Sequence, residues 1–297
     1  STFARGNRWG YFPSVSAGWV ISNEPFMESF SSALQHLKLR ASWGQNGNNR
    51  VSNFQYLGTF SQSKHYYFGD TKTTRTTGAY KDVVPNPEIK WETSEQLNVG
   101  LDAYFFKSRL AVALDWYNKT TKDWLVRAPI LASIGTGAPY INGGDIRNRG
   151  VELGLNWNDR INKDFNYGAS FNLTYNKNEV THIANEEGII NGSSGVLMAT
   201  TDIINRVQAG YPIGYFYGFE TAGIFQTEAE IEAAKAKLSG AQPGDVIFVD
   251  RNNDGAIDND DKTMIGDPRP DFITGMNFYV GYKGFDLSVS ATGAFGH

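Results

Sequence analysis

The chain has 297 residues, 40% of them hydrophobic and 14% aromatic, with no cysteine and a formal net charge of −4. No run approaches the roughly 18 consecutive apolar residues of a membrane helix, which excludes a helical membrane protein but says nothing against a membrane β-barrel. The absence of cysteine excludes disulfides and thiol chemistry, and the near-balanced charge gives no footprint for nucleic acid.

Strand patterns recur along the whole chain and come in pairs. In residues 97–105, apolar Leu97, Val99 and Leu101 alternate with polar Asn98 and Asp102, so one face is apolar and the other polar. A short connection leads into a second alternating run. We predict eight such strands, at residues 15–21, 37–43, 97–105, 110–117, 151–157, 165–175, 272–282 and 285–291, with a helix-like stretch at 26–35 and a turn at 158–164.

The two faces of the predicted strands differ in chemistry. The polar face carries Lys38, Arg40, Asp102, Asp115, Glu152 and Asp286. Aromatic residues near the strand ends would suit the girdles of a membrane barrel; these are Trp19, Trp43, Trp116, Tyr117, Trp157, Tyr175 and Tyr282. A soluble β-sandwich could also use this alternation, by burying the apolar face against a second sheet.

Long connections at one end of the strands favour the membrane barrel. Segments 44–91, 126–148 and 183–271 link hairpins whose own turns are short, which is the asymmetry of outer-membrane barrels. Ser1 is not an initiator methionine, and the last residues indicate an interrupted strand. We therefore expect an internal piece of a longer protein, forming an arc of a barrel larger than eight strands.

Several segments, in consistent order along the chain, carry a family resemblance. They are residues 9–19 (WGYFPSVSAGW) with Asn23 and Glu24, 37–48 (LKLRASWGQNGN), 86–92 (NPEIKWE) with 98–102 (NVGLD), 148–153 (NRGVEL), 243–246 (PGDV), 250–255 (DRNNDG), 265–268 (IGDP) and 282–286 (YKGFD). In this ordered set the chain resembles the SusC/RagA family of TonB-dependent outer-membrane transporters of the Bacteroidetes.

The resemblance implies a fold, a location and partners. It implies a Gram-negative outer-membrane barrel of about 22 strands with an N-terminal plug, energised by TonB and lidded by a SusD-like surface lipoprotein. Such pairs import oligosaccharides or, in some members, peptides. Residues 1–297 would be part of the barrel domain, without the plug, the TonB-interacting segment or the last strands, and residues 183–271 would form a long extracellular loop region.

An Asp-rich stretch at residues 250–261 matches the spacing of a calcium-binding loop. Gly255 falls at the sixth position, where the loop turns sharply. The candidate oxygen donors are Asp250, Asn252, Asp254, the Ala256 carbonyl, Asp258 and Asp261. Calcium favours such a set because it is a hard cation that takes six to eight oxygens. No pair of flanking helices is evident, so we expect a structural calcium ion, the alternative being a turn whose side chains cap their own backbone.

The remaining signals give no catalytic site. His36, His65, His182 and His297 are scattered, and neither a metalloprotease nor a hydrolase motif is present, so we expect no enzyme. A capping box from Thr227 predicts a helix over residues 227–239. Loop aromatic residues could stack on sugar rings, although packing is the alternative for each; they are Trp91, Trp124, Tyr140, Tyr215, Phe216 and Tyr217.

These observations together predict an all-β fold, an antiparallel transmembrane β-barrel present in part, with long extracellular loops. The expected function is TonB-dependent import of oligosaccharides or peptides with a SusD-like lipoprotein. Two alternatives stay open at this point. One is a passive porin or surface-adhesion barrel, and the other is a secreted, calcium-stabilised β-sandwich that binds carbohydrate.

Overall fold

The computed structural model describes residues 1–68, 74–128, 130, 132–198 and 201–297. Each of the predicted connections 44–91, 126–148 and 183–271 includes a few residues that lie outside this described part. No helix in the described part of the chain is long and apolar enough to cross a membrane.

Strands dominate the structure. The first nine are β1 (Ser14–Val20), β2 (Leu34–Asn48), β3 (Phe60–Phe68), β4 (Thr74–Lys81), β5 (Glu92–Phe105), β6 (Leu110–Lys122), β7 (Leu125–Arg127), β8 (Tyr140–Asn142) and β9 (Gly144–Asn162). The next nine are β10 (Phe165–Ile183), β11 (Ile189–Asn191), β12 (Asn205–Gln208), β13 (Tyr215–Phe219), β14 (Thr221–Ile224), β15 (Val246–Phe248), β16 (Lys262–Gly266), β17 (Phe272–Tyr282) and β18 (Phe285–Phe295). The helices are short: α1 (Glu228–Ala233) and 3-10 turns at Ile21–Asn23, Pro25–Phe30, Ala132–Ile134 and Asn259–Asp261.

The eight long strands form one antiparallel sheet in the order β1-β2-β5-β6-β9-β10-β17-β18. Each strand pairs with the preceding and following members of this series, and in the described residues β1 and β18 remain the outer edges. The predicted all-β, partial-barrel fold is therefore confirmed. The sandwich alternative is wrong, because the eight strands lie side by side in one layer and are not divided between two packed sheets.

One face of this sheet is a continuous apolar surface. The register aligns Leu39 with Leu101, Leu101 with Leu114, Leu114 with Leu153, and Leu153 with Leu173 across five neighbouring strands. Leu39 and Leu114 remain 38% and 43% exposed, so no second layer covers them. Such a surface is stable against lipid and not against water. We call it the outer face.

The opposite face, called the lumenal face below, carries the predicted charges. The register aligns Gly18, Arg40, Gly100, Asp115 and Glu152 in one row. The side chains of Lys38, Asp102 and Asp286 also point to this face, because side chains alternate between the two faces along each strand.

The assignment of Tyr117 to an aromatic girdle was wrong. It follows Trp116 directly, so the two side chains point to opposite faces, and the Tyr117 hydroxyl bonds to Asn176 on the lumenal side.

Strands extend further than the apolar alternation predicts. β2 continues five residues past the predicted end at 43, to Asn48, and β5 begins at Glu92, so the long connections are shorter than expected. The outer face is polar there: Trp43 donates its indole N–H to Glu95 at 3.2 Å, beside Gln45. Where both faces are polar, the strands stay hydrogen-bonded to each other, but the sequence no longer alternates between apolar and polar residues and so gives no sign of a strand. The turn predicted at 158–164 shrinks to 163–164 for the same reason.

The two predicted helical segments are shorter than expected. Residues 26–35 contain only the 3-10 turn Pro25–Phe30, since β2 already begins at Leu34. The helix predicted over 227–239 ends at Ala233. Its N-cap is as predicted, with the Thr227 hydroxyl accepting from the Glu230 N–H. Beyond Ala233, the Lys237 ammonium donates to the Ile231 carbonyl, which satisfies that carbonyl without a further helical turn.

The connection between β10 and β17 has a structure of its own. β11, β12, β13 and β16 form a four-stranded sheet, and β14 pairs with β15. This region is seated on the wall through an apolar cluster of Ile146, Val180 and Ile183, with Val180 fully buried. The Val180 N–H donates to the Tyr211 carbonyl at 2.8 Å, and its carbonyl accepts from the Gly210 N–H. The outer loops are thereby fixed to the upper end of β10.

Candidate functional site: lumenal wall and outer loops

An ion triad lies at the centre of the lumenal face. The Arg40 guanidinium contacts Asp102 on the neighbouring strand at 3.0 Å and reaches across it to Asp115 at 2.6 Å. The side chains lie flat against the sheet, because a Cβ at Gly100 would sit 2.5 Å from an Asp115 carboxylate oxygen and 2.6 Å from the Arg40 guanidinium carbon. Glycine at this position leaves the space that the triad occupies.

Aromatic side chains also lie flat over glycines of the neighbouring strand. A Cβ at Gly150 would overlap the backbone carbonyl oxygen of Tyr175 and lie 2.6 Å from the Tyr117 hydroxyl oxygen, and one at Gly168 would overlap the ring of Tyr279. Tyr117 and Tyr279 therefore lie over the glycine of an adjacent strand and do not stand out from the wall. Large side chains that lie flat leave more of the lumen open than side chains perpendicular to the sheet would.

A chain of amides connects the wall to an outer loop. The Tyr117 hydroxyl donates to Asn176 at 2.9 Å, and Asn176 and Asn178 both donate to the Asn148 side-chain oxygen. Asn178 in turn accepts from the Ile213 backbone N–H at 2.9 Å. Sequence reasoning did not identify this network, because its members are unremarkable polar residues until the register brings them together.

The segment 86–92 fastens the N-terminal residues to the wall. Ile89 is fully buried, and the Asn7 amide donates to its carbonyl at 3.3 Å. Trp91 packs against the rings of Phe3 and Phe12, each with a centroid distance of 5.5 Å. Ile89 and Trp91, which belong to a segment that carries the family resemblance, therefore have a packing role.

Most of the predicted loop aromatic residues pack within the protein: Trp124 lies against the cluster of Ile146, Val180 and Ile183, and the Tyr140 ring lies 5.5 Å from the Arg127 guanidinium. Tyr215 is only 2% exposed, its ring lies 4.9 Å from that of Tyr211, and burial raises the pKa of its hydroxyl. The guanidinium of Arg206 covers the ring of Tyr217 at 3.5 Å. Phe216, by contrast, is 43% exposed. Stacking of the loop aromatic residues on a sugar stays a prediction.

Carboxylates of the Asp-rich loop accept hydrogen bonds from its own backbone. Asp250 accepts from the Gly255 N–H at 2.9 Å, and Asp254 accepts from the Ala256 N–H at 2.8 Å. Asp261 is fully buried and accepts from the Arg251 and Asp258 N–H groups at 2.8 and 2.9 Å. These bonds, the Asp258 bond first, hold the pKa of Asp261 below its usual range.

The donors of the predicted calcium loop thus share one short turn, with Asn252 donating to Asp254 at 2.8 Å and Asp258 accepting from the Asp260 N–H at 2.9 Å. Among the described residues, no group of three or more acidic or histidine side chains is gathered so that it could hold a metal ion. Calcium binding by this loop stays a prediction.

Comparison with known proteins agrees with this geometry. The family model described as "TonB dependent receptor-like, beta-barrel" matches residues 1–294. The chain is 34% identical to TonB-dependent receptor P3 of Formosa agariphila over 97% of its own length and 28% of the relative's. It is 30% identical to TonB-dependent receptor SusC of Bacteroides thetaiotaomicron, over 98% of its own length and 28% of that protein's.

Solved structures give the same result. The chain superposes on a chain of the RagAB peptide transporter with a TM-score of 0.77 and 26% identity, over 99% of its own length and 30% of that chain. A second match, the RagAB peptide importer in a closed-closed state, has a TM-score of 0.78. The chain spans less than a third of the length of these relatives. It belongs to the TonB-dependent receptor β-barrel family of the outer membrane, the family of SusC.

Proposed function

We propose that this chain forms part of the barrel wall and outer loops of an importer that carries oligosaccharides, or alternatively peptides, across the outer membrane. In this proposal a SusD-like lipoprotein lids the barrel and captures the cargo. TonB, acting through an N-terminal plug outside residues 1–297, then opens a path along the lumenal face. The observation that carries the proposal is the match of the eight-stranded arc to SusC and RagAB over nearly its whole length.

The chemistry of the lumenal face suits a polar cargo. Arg40 pairs with both Asp102 and Asp115, so this triad keeps a single net negative charge, and Asn148, Asn176 and their neighbours offer amide donors and acceptors. A cargo that passes this wall must therefore tolerate a small net charge and exchange hydrogen bonds with amides. Hydroxyl-rich oligomers and peptides both meet this requirement, since either can exchange hydrogen bonds with amides.

The test is uptake by cells that carry the whole gene. Cells are given fluorescently labelled oligosaccharides and, separately, labelled peptides, with the gene intact, with it deleted, and with TonB inactivated. We expect accumulation of one cargo class that requires both the gene and TonB. The class that accumulates identifies the substrate.

Two outcomes would contradict the proposal. Uptake that persists without TonB would indicate the passive porin alternative, because a porin needs no energy supply. Binding of cells to a surface, without uptake of either cargo, would indicate an adhesion barrel. A lipoprotein that co-purifies with the whole protein in detergent would support the proposed lid, and the barrel purifying alone would argue against it.

For the Asp-rich loop we propose calcium binding with a structural role. Asp250, Asn252, Asp254 and Asp258 supply the hard oxygens that calcium prefers, and each carboxylate oxygen that already accepts one N–H keeps a second lone pair. Removing calcium with a chelator should then accelerate proteolysis between residues 250 and 261. Equal cleavage with and without calcium would leave these carboxylates as caps of their own backbone.

A further inference from the structure

A pair of cations lies on the outer face immediately above the apolar band. Arg149 and Lys177 are direct cross-strand partners on β9 and β10, and the next pair towards the membrane is Val151 with Tyr175. The Tyr175 ring packs on Phe272 at 5.0 Å, and Val151 pairs on its other side with Trp116. The two cations therefore lie at the level where lipid headgroups begin, at the end of the barrel that carries the long loops.

This arrangement leaves positive charge uncompensated. Like charges directly opposite one another on adjacent strands destabilise a sheet. Glu179, the neighbouring carboxylate on the same face, is already held by Arg147 at 2.8 Å. Within the part of the chain that the structure describes, neither Arg149 nor Lys177 forms an ion pair, and both side chains are exposed.

The cations open onto a cleft of about 660 Å³. Its lining includes Arg147, Arg149, Lys177, Tyr175, Tyr211 and Asp271. A further carboxylate in the lining, Asp267, is paired with Arg269 at 3.4 Å. With the pairs Arg147–Glu179 and Arg269–Asp267 neutral, Arg149 and Lys177 face the single charge of Asp271, so the cleft retains a positive excess beside the membrane.

We propose that Arg149 and Lys177 bind the phosphate of a lipid headgroup in the outer leaflet. Arginine offers two parallel N–H donors to phosphate oxygens, and lysine adds a point charge beside it. A phosphate between them removes their mutual repulsion. The acyl chains of the same lipid then lie along the apolar surface of Val151, Tyr175 and Trp116. This site is independent of which cargo the barrel imports.

The test uses the whole transporter purified in a non-ionic detergent and titrated with short-chain phosphatidic acid, with bound lipid counted by native mass spectrometry. The double variant Arg149→Gln/Lys177→Gln removes the site. Each basic residue near a membrane surface contributes about 1 kcal/mol to the binding of anionic lipid, so the affinity should fall roughly thirtyfold. The matched control is Lys107→Gln/Lys163→Gln, which removes two exposed cations from the short turns at the other end of the barrel.

Three results would decide the matter. Loss of phosphatidic acid from the Arg149/Lys177 variant alone, with phosphatidylcholine bound weakly by every form, supports the proposal. Equal binding by this variant and the wild type overturns it, provided that both migrate as folded barrels in unheated gels. Displacement of the lipid by inorganic phosphate at comparable concentration also overturns it, because the site would then be one for free anions.

Discussion

Replacing Gly100 by alanine should break the ion triad of the lumenal face. The new Cβ would lie 2.5 Å from an Asp115 oxygen and within 2.7 Å of two Arg40 guanidinium atoms, distances that no relaxed structure tolerates. The ends of the Arg40 and Asp115 side chains must therefore shift away from the new methyl group. The 2.6 Å contact between Arg40 and Asp115 is the interaction that is lost.

The size of the effect follows from burial. Breaking an exposed pair costs at most about 1 kcal/mol, whereas isolating a fully buried charge costs about 3–5 kcal/mol. Asp115 is 15% exposed and Arg40 35%, so this pair lies between these limits, at about 1–3 kcal/mol. Alanine recovers about 0.5–1 kcal/mol of chain entropy relative to glycine. A net destabilisation of about 1–2 kcal/mol is expected.

Gly154→Ala provides the matched control. Gly154 lies on the same lumenal face, but a Cβ there would meet only Ala113, at 3.8 Å from its Cβ, an ordinary contact. We expect this variant to be neutral or slightly more stable. The assay is urea unfolding of the whole protein in detergent micelles, followed by tryptophan fluorescence.

A double variant separates lost charge pairing from general crowding. In an Arg40→Ala background the pair no longer exists, so Gly100→Ala should then cost little. The reasoning would be refuted if Gly100→Ala and Gly154→Ala unfolded at the same urea concentration. It would also fail if the cost of Gly100→Ala were as large without Arg40 as with it.

Three further predictions follow from other parts of the chain. Val180→Ala removes two buried methyl groups, so it should lower the stability of the outer loops by about 1.5–3 kcal/mol and accelerate hydrogen exchange in residues 207–215. The control, Val196→Ala, at a position 58% exposed, should leave exchange unchanged. Because its pKa is lowered, the Asp261 carboxylate should stabilise the Asp-rich loop fully above its ordinary pKa, near pH 4, and lose this effect as the pH falls through the lowered value. The protection factor of the Arg251 amide should therefore fall only in acid, whereas in Asp261→Asn it should already be low at neutral pH. Ser108 has a φ of 62°, so Ser108→Gly should stabilise the turn by about 1 kcal/mol in urea unfolding, and an unchanged midpoint would argue against strain there.

The wall strands could be predicted because one physical requirement acts along their length. Lipid on one side and a polar lumen on the other impose the alternation that Leu97, Val99 and Leu101 display. The same argument explains where prediction stops. Above Trp43, both faces of β2 and β5 are polar, so Gln45 and Glu95 carry no periodic signal although their strands continue.

The outer loops could not be assembled from the sequence, because their structure depends on distant contacts. Val180 looks like one more residue at the end of a strand, yet it is fully buried beneath a region that begins and ends far along the chain. Tyr117 shows the same limit at closer range. Its neighbour Trp116 lies on the outer face, so the alternation of side chains puts Tyr117 on the lumenal face, but only the register identifies Asn176 as its partner.

The lumenal glycines indicate how one wall can be both polar and wide. A polar side chain that stands upright narrows the lumen and fixes a charge in it, whereas one that lies over a glycine does neither. Arg40 over Gly100, Tyr117 over Gly150 and Tyr279 over Gly168 all take the second arrangement. The importer that we propose would have to hold a plug and pass a polar cargo, which requires both width and hydrogen-bonding capacity. Substituting Gly100 or Gly168, where a Cβ would meet only side chains, should therefore impair passage of long cargo more than that of short cargo, and equal impairment of both would show that only stability was affected.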